Sequence, residues 1–243
     1  MSEVITITFG DCAENHTGME QLGERRKNGF SYDDLLNFQS KFNEYETKIF
    51  DLTTLTDKKV DDAYLLVVKN FIDNELHQEL KSHHWDKKYF DVRRQKVLNK
   101  HARANVCYGD NFQEADYENK KGTIISWDMV PNLKKIKDQL EEMVNFKIQA
   151  EGNYYTDGGA KKTGIGYHGD TERRIVIAIR TGNITMPLHY QWYHMSRRVG
   201  ENFQVDIEPG DLYIMSEKAV GTDWKKRSKY TLRHATGAKK YTK

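Results

Sequence analysis

At 243 residues the chain can hold one large domain or two small ones and bury a sizeable core. Its 37% hydrophobic and 12% aromatic content excludes a disordered chain, and a formal net charge of +2 excludes the strongly basic balance that by itself marks a nucleic-acid binder. Cys12 and Cys107 have neither metal-type nor disulfide-framework spacing, no apolar run approaches the roughly 20 residues a bilayer requires, and Met1-Ser2-Glu3 opens no signal-like segment, so the expectation is a soluble, reduced, intracellular chain with no membrane partner.

In chain order, the first sixty residues read as polar apart from one amphipathic stretch. There Leu35, Leu36, Phe38, Phe42 and Tyr45 recur near helical spacing after Ser31 and Asp33. Residues 1–60 are therefore expected to be an N-terminal accessory extension, and 61–243 the main domain. Ala63 to Val68 reads as a buried strand, after which Asp73 can cap a helix carrying Leu76 and Leu80. A longer helix opens at Pro131, a favoured first position, and repeats Leu133, Ile136, Leu140 and Met143 on one face. Strands follow at Phe146 to Tyr155, Arg174 to Arg180, Met186 to His194, Phe203 to Ile207, Asp211 to Met215 and Lys229 to His234, separated by turn signals such as Asp157-Gly158-Gly159 and Pro209-Gly210-Asp211. Many short strands after a helical layer predict an α+β, mainly β fold with a jelly-roll or barrel core and helices packed on one side.

The run Gly166-Tyr167-His168-Gly169-Asp170 carries the first chemical signal. On an extended segment, residues two apart point the same way, so an imidazole nitrogen and a carboxylate oxygen can converge on one cation. Two histidines and one carboxylate on one face form the site of non-haem Fe(II) oxygenases. The third ligand must come from a later strand, where His189, His194 and His234 stand; His234, beyond the Gly210-Asp211 turn, is preferred because the other two lie on an aromatic strand close behind. Arg173 and Arg174 are compatible with a solvated strand edge.

From about Ala63 onward the chain resembles the AlkB-like branch of the Fe(II)/2-oxoglutarate-dependent oxygenases. The matching residues are Asn153 and Tyr155 of an Asn-x-Tyr motif and Gly166, His168, Asp170 and Glu172 of Gly-x-His-x-Asp-x-Glu. With them go Arg103 and Tyr108-Gly109-Asp110, Val130-Pro131-Asn132-Leu133, Gly210-Asp211-Leu212 with Met215-Ser216, and Asp223-Trp224-Lys225. The resemblance implies a double-stranded β-helix (jelly-roll) core, Fe(II) and 2-oxoglutarate with O2 as co-substrate, and hydroxylation or oxidative demethylation of a substrate. In one alignment Arg227 and Arg233 match the family's arginine pair and Asp223 would replace the distal ligand; in the other, preferred here, the loop is longer and His234 completes the set with His168 and Asp170. In both, the co-substrate's distal carboxylate calls for a bidentate arginine, and Arg227 and Arg233, six apart on an expected strand, would share one face. Asn153 and Tyr155 match residues that hydrogen-bond the same co-substrate.

Nucleic acid, DNA or RNA, stands somewhat ahead of a protein side chain or a small molecule as substrate. Tyr190, Trp192 and Tyr193 could stack on a base, and Arg93, Arg94, Lys96, Lys100, Arg103, Lys120 and Lys121 could hold a phosphate backbone, although Glu114, Asp116 and Glu118 interrupt the basic segment. The rival of another class is an AlkB-like binding module without catalytic activity.

Overall fold

The computed structural model describes residues 2–73, 75–156 and 163–243; the turn expected at Asp157-Gly158-Gly159 lies outside them. In chain order the strands are β1 (Glu3–Gly10), β2 (Cys12–Glu14), β3 (Gln21–Gly23), β4 (Thr47–Asp51), β5 (Tyr64–Val68), β6 (Lys88–Asp91), β7 (Lys96–Asn99) and β8 (Ala104–Gly109). They continue with β9 (Ile124–Ser126), β10 (Gln149–Thr156), β11 (Gly164–His168), β12 (Val176–Gly182), β13 (Met186–His194), β14 (Arg197–Ile207), β15 (Leu212–Met215) and β16 (Thr231–Gly237). The helices are α1 (Tyr32–Lys41), α2 (Glu75–Ser82), α3 (Pro131–Val144) and the short α4 (Glu217–Val220) and α5 (Lys239–Thr242). The chain is mainly β. Among the described residues, an eight-stranded sheet runs β4-β5-β15-β12-β1-β10-β8-β9, and a four-stranded sheet runs β11-β16-β13-β14.

Alternation along the strands decides the layering. In β5, β12 and β15, Leu66, Val68, Ile177, Ile179, Leu212 and Ile214 face one core, together with Leu35, Phe38, Leu76, Leu80, Leu133 and Leu140 of the three longer helices. The intervening residues Leu65, Val67, Val176, Ala178, Tyr213 and Met215 face a second core, shared with Leu188, Tyr190, Trp192 and Leu232 of the small sheet. Helices thus cover one face of the large sheet and the small sheet covers the other.

The helices begin where the sequence signals them. Ser31 and Asp34 form a reciprocal capping box at α1, and the Asp73 carboxylate accepts from the Glu75 amide at the start of α2. Glu79 of α2 accepts from the Asn132 and Leu133 amides, each at 2.9 Å, satisfying the free N–H groups of α3.

Two expectations need correction. The division near residue 60 does not follow the layers, because β1 pairs with β10 on one side and β12 on the other, in the middle of the large sheet. The alternating run Val4-Ile5-Thr6-Ile7-Thr8-Phe9 is the signal that the polar reading of the N-terminus passed over. Tyr190 and Trp192 are fully buried core residues, and the Trp192 indole donates to the Leu52 carbonyl at 2.8 Å, so neither is free to stack on a base.

Ile7→Ala is expected to destabilise the protein by about 2–5 kcal/mol in urea unfolding, as truncation of a buried aliphatic side chain does. Leu36→Ala, on the exposed side of α1, should change stability by less than about 0.5 kcal/mol. Equal effects would place β1 outside the core.

Candidate metal centre

Antiparallel pairing of β11 with β16 sets His168 directly opposite His234. The register slips between Ile165 and His168, an extra residue on β11 that re-aims the end of the strand. The two imidazoles come to a centroid separation of 4.4 Å. Asp170 follows in the loop, its Oδ1 3.6 Å from His168 Nε2 and 3.7 Å from His234 Nε2. One ligand atom from each of the three residues lies within 4.8 Å of the others, close enough for a single divalent ion to draw on all three.

His168 and Asp170 are each aimed by a neighbour. His168 Nδ1 lies 2.7 Å from the Gly166 carbonyl, which accepts its N–H and leaves Nε2 as the free donor atom. Burial, with help from the neighbouring His168 and Arg173, holds His234 well below the usual histidine range against the pull of the Ala219 backbone, so it is neutral, as a ligand must be. Asp170 sits where it does because the Asp170 amide donates to the Val220 carbonyl at 3.0 Å. That approach requires glycine before it: a Cβ at Gly169 would fall 2.0 Å from the Gly221 carbonyl oxygen.

Arg173 lies behind the carboxylate. It is 1% exposed, and its guanidinium meets Glu151 Oε2 at 2.5 Å, Glu172 Oε1 at 3.1 Å and Asp170 Oδ2 at 3.6 Å. Asp170 therefore turns one oxygen to a fixed cation and the other to the two histidines. A solvated strand edge is the wrong description of Arg173; Arg174, paired with Glu217, is partly exposed.

These residues open on a cavity of about 270 Å³ between the two sheets. Asn153 and Tyr155 of β10 line it, and the Asn153 side-chain Oδ1 accepts from Arg103 Nε and Asn105 Nδ2, each at 2.6 Å. Burial pushes the Tyr155 hydroxyl up to about 12.

The other expected residues fall elsewhere. Arg227 is exposed and precedes β16 rather than lying on it. Arg233 is on β16 but faces away from His234, its guanidinium 4.1 Å from the Tyr193 ring centroid and 5.3 Å from that of Trp224. Neither lines the cavity: Arg227 lies outside the strand, and Arg233, next to His234 in it, points to the opposite face. Asp223 accepts from Lys218 at 3.0 Å and is not a member of the triad. His189 lies near Asn202, and His194 stacks on Tyr230.

The cavity holds a cation that the sequence did not single out. Arg180 of β12 is 1% exposed, and no carboxylate among the described residues forms an ion pair with it. It donates to the Met186 carbonyl and to the Tyr213 hydroxyl, while its Nε and the Oγ1 of Thr6, its cross-strand partner, have no hydrogen-bond partner among the described residues. A buried guanidinium without a counter-charge beside an unsatisfied hydroxyl is costly. The only sequence signal for it is a charged residue ending an otherwise apolar strand.

No protein-family model matches the chain. It is 45% identical over 258 aligned residues to an uncharacterized protein of Acanthamoeba polyphaga mimivirus, an alignment that spans 100% of this chain and 99% of the relative. No helix among the described residues is long and apolar enough to cross a membrane.

Arg173→Met leaves Glu151, Glu172 and Asp170 without their shared counter-charge and is expected to cost roughly 3–5 kcal/mol in urea unfolding. A cost below about 1 kcal/mol, the range of exposed ion pairs, would mean that the cluster is solvated.

Proposed function

We propose that this chain, which belongs to the family of the uncharacterized mimivirus protein, is an Fe(II)- and 2-oxoglutarate-dependent dioxygenase that hydroxylates a substrate carbon or removes an N-methyl group by oxidation. The observation that carries the proposal is the convergence of His168, Asp170 and His234, from separate parts of the chain, on one point inside a cavity. Two imidazoles and one carboxylate, with the remaining directions open to the cavity, are the donor set that suits non-haem iron.

The strand order supports a double-stranded β-helix. From β10 to β13 successive strands alternate between the large and small sheets, β14 stays in the small one, and β15 and β16 alternate again. The eighth position, between β10 and β12, is taken by β1 from the other end of the chain.

For the co-substrate, Arg180 takes the role expected of Arg227 and Arg233. A distal carboxylate beside it would accept from the guanidinium and from the Thr6 hydroxyl, satisfying both orphaned groups. Iron bound by the triad supplies, with 2-oxoglutarate and O2, the oxidation of an unactivated C–H bond. The remaining work belongs to side chains of the protein. Arg173 fixes which oxygen Asp170 presents, the Gly166 carbonyl fixes the His168 tautomer, and Val176, Leu188 and Met215 give the cavity an apolar wall that limits water.

Anaerobic titration with Fe(II) and 2-oxoglutarate should give a weak visible charge-transfer band, absent in His168→Ala and His234→Ala. Failure of the wild type to bind metal overturns the proposal, and metal binding without succinate formation in air identifies a binding module instead. Arg180→Met should weaken 2-oxoglutarate binding by roughly 10–100-fold, the loss of a charge-assisted hydrogen bond, and leave the Co(II) affinity of the triad unchanged. Calorimetry checks both, and Arg233→Met should alter neither.

A further inference from the structure

One wall of the metal cavity takes no part in holding metal or co-substrate. Glu14, at the end of β2, and His16, two residues on, line the cavity that also holds His168 and Asp170. Both precede Ala63 and so lie outside the stretch that resembles the oxygenase branch. Neither belongs to the triad.

Burial drives both groups toward their uncharged forms. Glu14 forms no ion pair among the described residues; the Arg173 guanidinium is taken up by Glu151, Glu172 and Asp170. Burial and the charges of Glu172 and Glu151 push the Glu14 carboxyl up to about 7, against the pull of the Gly18 backbone and of Arg173. His16 lies under the opposite influence. Burial, with Lys100 and Arg103 nearby, holds it down to about 4, against the Thr17 backbone and Asp91. Its ring stacks on Tyr89 with centroids 3.8 Å apart, and its Nδ1 is buried with no hydrogen-bond partner among the described residues.

The loop that carries the pair is fixed before any ligand arrives. The Glu14 amide donates to Glu151 Oε2 at 3.1 Å, and the Met19 amide donates to the His16 carbonyl at 2.9 Å. Between them Asn15, 4% exposed, donates to Asp86 Oδ2 at 2.8 Å and accepts from Lys100 Nζ at 2.6 Å. A ligand therefore meets one carboxyl O–H and one ring nitrogen at a set spacing. An ion fits this wall poorly. A cation would face Lys100 and Arg103 beside His16, and an anion would face Glu151 and Glu172 beside Glu14. A neutral group with one acceptor and one donor satisfies both ends, and an amide is the smallest that carries them side by side.

We propose that Glu14 and His16 are substrate-positioning residues that hold an uncharged amide, its carbonyl oxygen accepting from the Glu14 carboxyl and its N–H donating to His16 Nδ1. That the amide belongs to the molecule being oxidised rests on the oxygenase proposal. That the two side chains bind an amide does not.

Heteronuclear NMR of the intact chain, isotope-labelled at its glutamate and histidine side chains, tests this with N-methylacetamide as the probe and methylammonium and acetate as charged comparators. Signals of Glu14 and His16 should shift with the amide. Because the amide binds the protonated carboxyl, its affinity should fall as pH rises through about 7, and the Glu14 titration should move upward as the probe saturates. Glu14→Gln keeps a donor and should bind the probe with no pH dependence, a change that a merely structural role for Glu14 would not produce. His16→Ala should weaken binding roughly 3–10-fold at every pH, the loss of one hydrogen bond. Wild-type affinity that ignores pH, or tighter binding of methylammonium or acetate than of the amide at these two residues, overturns the inference. A Co(II) titration of separate samples keeps the two proposals apart. A protein that binds Co(II) through His168 but shows no amide shift at Glu14 has lost only this inference, and one that binds the amide but no Co(II) has lost only the oxygenase.

Discussion

The large sheet is two half-sheets joined by one strand. β12, β15, β5 and β4 lie on one side and β10, β8 and β9 on the other, and β1 makes both sets of hydrogen bonds between them. Both faces of β1 are committed. Ile5, Ile7 and Phe9 enter the helix-side core, while Thr6 and Thr8 turn to the cavity. The sheet that positions Asn153, Tyr155 and Arg180 therefore depends on pairing between the first ten residues and strands far along the chain. Such pairing closes long loops and comes late to a folding chain.

At one end the space between the sheets is filled by Leu65, Val67, Leu188 and Trp192, and at the other it is polar. That polarity is costly, since every charge there is partly withdrawn from water. Arg173 offsets the cost for three carboxylates at once, those of Asp170, Glu151 and Glu172. Glu14, in the same wall without such a partner, shows the alternative: burial and the charges of Glu172 and Glu151 push its carboxyl up to about 7. A buried acid without a counter-ion beside it tends to hold its proton. Arg180 is the inverse case, a buried cation that forms no ion pair with a carboxylate among the described residues.

Local chemistry in the sequence located most of the helices and the C-terminal strands. The capping residues Ser31 and Asp73, Pro131 and the apolar repeat after it, and the run Met186 to His194 all correspond to observed elements. His168, Asp170 and His234 were also legible, because a strand and its following loop constrain near neighbours and few later histidines compete for the third position. Long-range geometry was not. Whether Arg227 and Arg233 share a face depends on where β16 begins, and it begins at Thr231, after Arg227. Arg173 reads as a surface charge because nothing in its immediate neighbours indicates that Glu151, from another strand, will meet it. β1 escaped for a plainer reason: its alternation was visible, but threonine at every second position reads as polarity when the facing cavity is unknown.

Arg103 lines both the cavity at His168 and a second cavity of about 750 Å³ bordered by Lys87, Lys88 and Lys100. Its guanidinium is the one described cation that lines both, and Asn153 receives it together with Asn105. Asn105 also belongs to the strand whose carbonyl receives Asn15, and Asn15 in turn accepts from Lys100 in the outer groove. A chain of short polar contacts thus runs from the lysine-rich surface to a residue in the wall of the metal cavity. Two rigid strands, β8 and β10, hold its inner end. An anion that draws Arg103 or Lys100 outward must break or replace a hydrogen bond to Asn153 or Asn15. Whatever fixes Asn153 from the inside therefore also bears on how freely Arg103 can move on the outside.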